Sequence, residues 1–177
     1  MKKNLLLLCM LLCSINIFSQ SIKSCDIDDF TGNKVIYTTT EKLTKETFSK
    51  PLQTMFYFRY ENGKDYLHLL WQCREMSSVL EGGTAIFILS DGNKMNLKSI
   101  KNTIAEPSVA STSMVKPSKI LGLDLAYVGD DLKLLKVGTF IQKFRIYTSS
   151  GYQDFEVSED KAKLFTSAYL LVQENKY

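Results

Sequence analysis

One histidine, His68, serves the whole 177-residue chain, and it sets the first limit on the chemistry available. Zinc sites draw on several His, Cys or carboxylate ligands, so a single imidazole excludes both the three-histidine set and the set of two histidines with a glutamate. Four cysteines occur, but Cys9 and Cys13 lie in an apolar leader, and the remaining Cys25 and Cys73 cannot form a four-cysteine set. A nucleophilic pair of Cys73 and His68 fails on geometry, because positions separated by an odd number point to opposite faces of a strand. Ser113 and Lys116 have the Ser-x-x-Lys spacing of a lysine-activated serine. That pair needs a helix, and here it lies among Pro, Ser and Thr with no Ser-Asp-Asn or Lys-Thr-Gly partner. Asp26, Asp28 and Asp29 before Gly32 suggest a calcium loop, yet Phe30 and Thr31 stand where an EF-hand needs a ligand and its glycine. An acidic turn is the simpler reading. The chain carries no glycine-rich phosphate loop, dinucleotide fingerprint or His-Glu-x-x-His, and no cofactor or metal is expected.

The surviving candidate is a surface, and a hairpin positions it. Residues 52–60 (LQTMFYFRY) and 65–73 (DYLHLLWQC) flank Asn62-Gly63, the pair best suited to the positive φ angles of a type I′ turn. With those two residues as the loop, Phe58 opposes Leu67, Phe56 opposes Leu69 and Thr54 opposes Trp71, an apolar face that belongs in the core. The other face sets Tyr57 against His68 and Arg59 against Tyr66. Aromatic rings beside a guanidinium can stack on a sugar or anchor a protein partner, so Tyr57, Arg59, Tyr66 and His68 are the candidate binding residues. The plainer alternative is that another element, such as a terminal helix, covers them.

The rest of the chain reads as further hairpins. Residues 20–34 are a polar lead-in, 34–40 (KVIYTTT) a strand, and 41–51 a charged connection. Met76, Val79 and Leu80 have the spacing of one helical turn. A second hairpin joins 84–90 to 94–100 through Asp91-Gly92, opposing Ile86 to Leu97 and Ile88 to Met95. Residues 101–119, with Pro107 and Pro117, read as a long loop. Residues 120–128 alternate as a strand, and Asp130 or Asp131 caps a short helix holding Leu132 and Leu135. A third hairpin returns through Ser150-Gly151, setting Phe144 on Val157 and Arg145 on Glu156. Ser158 then caps a C-terminal helix whose Ala162, Phe165, Ala168, Tyr169 and Val172 form one apolar stripe. The expected fold is α+β: a mainly antiparallel, hairpin-built sheet, curved, barrel-like or sandwiched, with a short helix and a C-terminal helix packed on it.

Composition agrees with a globular chain, at 45% hydrophobic and 23% charged with three prolines. Lys2 and Lys3 followed by the unbroken apolar run 5–12 read as a secretory signal, ending after Ser19 or Ser21. Leucines precede Cys9 and Cys13, which argues against a lipid-modified cysteine at the cut. With residues 1–19 as signal peptide, 158 of the 177 remain for a single β-rich domain, with no segment able to span a membrane as a helix. Loss of two lysines takes the 22 basic residues to 20 against 19 acidic ones, too even a balance for nucleic-acid binding. Cys25 and Cys73 can pair in an oxidising compartment, worth about 4 kcal/mol for a loop of that length. Otherwise Cys73 is a small core residue and Cys25 a free thiol.

Phe18-Ser19-Gln20 at the end of the leader, Asp28-Asp29-Phe30-Thr31-Gly32 before a strand, and the Arg145-Ile146-Tyr147 strand together resemble small uncharacterised secreted proteins of Bacteroidota type. The resemblance implies a Gram-negative periplasm or exterior and carries no activity. The expected function is that of a non-enzymatic binding or structural module of the cell envelope or exterior, with a protein or carbohydrate partner. A hydrolase of unrecognised type is the alternative.

Overall fold

The computed structural model describes residues 21–44, 52–107 and 120–177. The expected leader and the Ser113/Lys116 pair lie outside the described residues. Strand β1 (Ile22–Ile27) runs through the expected polar lead-in and pairs with β2 (Lys34–Thr38). As an edge strand exposed along most of its length, β1 has no buried face, so no alternation betrays it. A two-residue strand β3 (Glu41–Lys42) follows within the charged connection. Strands β4 (Thr54–Glu61) and β5 (Lys64–Cys73) form the first hairpin in the expected register, Phe58 on Leu67 and Tyr57 on His68. Asn62 and Gly63 take φ of 52° and 75°, as a type I′ loop requires.

The helical turn expected near Met76 is instead the strand β6 (Ser78–Val79), with Val79 buried and Met76 and Leu80 exposed. Strands β7 (Thr84–Leu89) and β8 (Lys94–Ser99) form the second hairpin one residue out of the expected register. Phe87 opposes Met95 and Ala85 opposes Leu97, and these are the buried set. The cause is the loop, which is Ser90-Asp91-Gly92: the Gly92 amide donates to the Leu89 carbonyl, the Leu89 amide to the Asn93 carbonyl, and Gly92 sits at φ 85°. That is a three-residue turn with a left-handed third residue, not a two-residue one.

The expected long loop begins with two short strands, β9 (Thr103–Ile104) and β10 (Glu106–Pro107), and its residues 108–119 lie outside the described residues. Strand β11 (Leu121–Val128) leads to a 3₁₀ turn over Asp130–Leu134. Neither aspartate caps that turn. Gly129 holds the cap position, and Asp131 accepts the Asn96 amide at 2.8 Å instead. The third hairpin, β12 (Ile141–Thr148) with β13 (Gly151–Glu156), turns on Ser149-Ser150, two positions from the expected pairing. Phe144 therefore opposes Phe155 and Arg145 opposes Asp154; a shift of two preserves the faces. Helix α1 (Glu159–Glu174) follows Ser158, which has the extended backbone of a cap residue but makes no side-chain capping bond.

Among the described residues eleven strands make one antiparallel sheet in the order β1-β2-β4-β5-β11-β8-β7-β12-β13, with β3 on β4 and β10 on β11; β6 and β9 pair separately. The path does not close into a barrel. It does curl. Strands β5 and β13 are five places apart in the order, about 24 Å in a flat sheet, yet Trp71 meets Phe155 with ring centroids 5.7 Å apart. Helix α1 lies on the concave face, its Phe165 ring 4.9 Å from Phe56 and from Phe58 and 6.1 Å from Phe87. All five residues of its expected stripe are buried. No described helix is long and apolar enough to cross a membrane.

Candidate functional site

Register assembles the convex face of the β2-β4-β5-β11 wing row by row. One row carries Tyr57 and His68, the next Tyr37, Arg59 and Tyr66, and a row on the other side carries Met55, Leu70 and Asp124. The C-terminal helix packs on the opposite face against Phe56 and Phe58, so it does not cover these side chains. The Tyr57 and His68 rings stack at 4.3 Å and 13°, with the phenol oxygen 2.8 Å from Nδ1. Tyr37, which sequence reasoning passed over, joins them 6.4 Å from Tyr57 and lies under the Arg59 guanidinium at 5.3 Å. Arg59 also pairs with Glu61. Tyr37, Tyr57, Arg59 and Tyr66 are half-buried, whereas His68 is only 7% exposed.

Asp124 completes the set. Its Oδ1 lies 3.3 Å from the same Nδ1 that faces Tyr57. One nitrogen thus serves two partners: protonated, it donates to Asp124; unprotonated, it accepts the Tyr57 hydroxyl. The His68 hydrogen bond holds the Asp124 carboxyl below its ordinary value, with a smaller contribution from Lys101. Burial, aided by the Asp124 charge, pushes the Tyr57 phenol up to about 12. A hydrolytic triad divides its base between two nitrogens, one for the nucleophile and one for the orienting acid. Here both contacts share one nitrogen, and among the described residues the hydroxyl in reach is a neutral phenol. Asp124 is the sole charged side chain of its strand, at an outward position, which marks it in the sequence as a surface residue but gives no sign of its partner.

A second cluster occupies the far wing. Arg145 holds Asp154 in a two-point ion pair at 2.6 and 2.8 Å, and its guanidinium lies 3.8 Å from the Tyr152 ring and 6.0 Å from Tyr147. The expected charge pair is with Glu156; moving the loop back by one residue shifts the pairing by two and supplies Asp154 in its place. Two recesses open beside these clusters. One of about 1450 Å3 borders Trp71, Phe144 and Tyr152, and one of about 520 Å3 borders Leu70 and Asp124.

Cys25 and Cys73 do not pair. Both are free thiols, Cys25 exposed on the sheet edge and Cys73 buried. Register explains it: Cys25 lines up through Ile36 and Tyr60 with Asp65, three strands away, and Cys73 is eight residues further along β5. Those steps amount to roughly 30 Å, against the 4.4 to about 7 Å that a disulfide spans. Asp28 accepts the Phe30 and Thr31 amides at 2.9 and 2.8 Å, the acidic turn expected of that segment. Among the described residues no group of three or more His, Cys, Asp or Glu is placed to hold a metal. Comparison with protein-family models, with curated proteins and with solved structures found no match to this chain.

Proposed function

We propose that the chain is an exported, non-enzymatic binding module of the cell envelope or exterior, and that Tyr37, Tyr57, Arg59 and Tyr66 form its contact surface. The observation that carries this reading is the convex ring-and-guanidinium lattice left uncovered by the helix. Rings held by stacking and register lose little side-chain entropy on contact, which is why tyrosine and arginine dominate binding hot spots. The hydrolase alternative has the contact between His68 and Asp124 in its favour. Among the described residues no nucleophile is wired to the second imidazole nitrogen.

Crosslinking from envelope extract tests the proposal, with wild type, Tyr57→Ala/Tyr66→Ala and Tyr147→Ala/Tyr152→Ala compared by quantitative mass spectrometry. The expected result is one partner whose recovery falls about 30-fold in the first variant and holds in the second. Equal recovery by all three removes the surface from consideration. Export is tested separately by the mature N-terminus, expected at Gln20 or at Ile22.

A further inference from the structure

We propose that the 520 Å3 recess beside Asp124 is a binding site for a neutral saccharide. Its floor is set by register. Met55 opposes Leu70 and Leu70 opposes Asp124, so two apolar side chains and a carboxylate lie in one row across three strands. The wall comes from the short β9 and β10 strands and contributes Thr103 and Glu106, with Lys101 at the rim. Size suits one or two sugar rings, and the lining mixes a flat apolar floor with a few convergent polar groups.

Three features select the ligand class. The Asp124 side chain is half exposed and its carboxyl is kept ionised by His68 and Lys101, so its free acceptor capacity faces the recess and calls for hydroxyl or amine donors. The Thr103 hydroxyl is buried yet makes no hydrogen bond among the described residues, an unmet donor and acceptor in the wall. Lys101 offsets part of the acidic charge, which disfavours a free cation and leaves a neutral polyol as the better match. A pyranose offers both halves at once, an apolar C–H face for Met55 and Leu70 and a rim of hydroxyls for Asp124 and Thr103. This inference goes beyond the contact surface above and does not depend on it.

The test is a printed array of neutral hexose and N-acetylhexosamine oligomers of two to six units, with sulfated glycans and immobilised spermidine as the other arms. It is probed with the full chain and with Asp124→Ala, Thr103→Val and Tyr152→Ala, each checked by thermal melting. The expected result is retention on one neutral oligomer, weakened about tenfold or more in Asp124→Ala and in Thr103→Val, and unchanged in Tyr152→Ala. Asp124 is half exposed and Thr103 half-buried in the wall, and should either variant melt early, protection of Asp124 and Thr103 amides by the same oligomer in hydrogen exchange of wild type replaces it. Retention on spermidine or sulfated glycans alone, on no probe, or equally by all variants overturns the proposal. A blank array together with a Tyr57/Tyr66-dependent partner would remove this site and leave the contact surface standing.

Discussion

The Tyr127 side chain is fully buried, and its hydroxyl has no hydrogen-bond partner among the described residues. Removing the oxygen alone by Tyr127→Phe keeps the packing and deletes an unsatisfied group, so stability is expected to rise by about 1 kcal/mol in urea unfolding; a fall of that size would mean that the hydroxyl is bonded. At the site, Asp124 and Tyr57 are shifted in opposite directions, the first by His68 and the second by burial. Asp124 has its folded value below its unfolded one, so the stability it contributes is present above the unfolded value and lost as pH falls through the folded one. Tyr57 has its folded value raised to about 12, so its contribution is present below the unfolded value and lost as pH climbs through the folded one. Carboxyl NMR of His68→Ala is expected to show the Asp124 midpoint rising, and ultraviolet titration of wild type to show a phenol ionising near 12 that is missing in Tyr57→Phe. An unmoved Asp124 midpoint would disconnect the pair.

Among elements, the hairpins separate what a sequence encodes locally from what it does not. Asn62-Gly63 supplies two residues tolerant of positive φ, and only a two-residue loop uses both, so the first register could be read outright. Asp91-Gly92 looks alike but uses only Gly92 in the left-handed region, and Asp91 commits its carboxylate to the Asn93 amide at 3.0 Å, so the register moves by one. A Cβ at Gly63 would meet nothing within 4 Å, which makes Gly63→Ala a conformational change without a clash. It is expected to cost about 1 kcal/mol, seen as a lower urea midpoint with unchanged slope. No loss would mean that the loop can adopt another turn. The pair Tyr57 and His68 was readable for the same local reason. Asp124 was not, because its place beside His68 arises from pairing β11 with β5 across 56 residues, and nothing in either strand names the other.

For the whole molecule, the order of strands decides the fate of the cysteines. An open path with β1 at one edge puts Cys25 in solvent, while Cys73 sits under the curl with its thiol pushed up by burial. Alkylation without reductant is expected to label Cys25 in the native protein and Cys73 only after unfolding, read by intact mass. Absence of both labels until reductant is added would contradict the topology. The two-cysteine arithmetic of the sequence permitted a bridge; three-dimensional order forbids it.

Among the described elements helix α1 covers the concave face, and it follows every strand of the sheet along the chain. Phe56, Phe58 and Phe87 meet Phe165 only once residues beyond Glu159 exist, so every shorter nascent chain carries a wet aromatic sheet. Synthesis order thereby acts as a completeness check. Until that helix is made the surface is open to holding factors, and a chain truncated before Glu159 stays sticky enough to be recognised and destroyed.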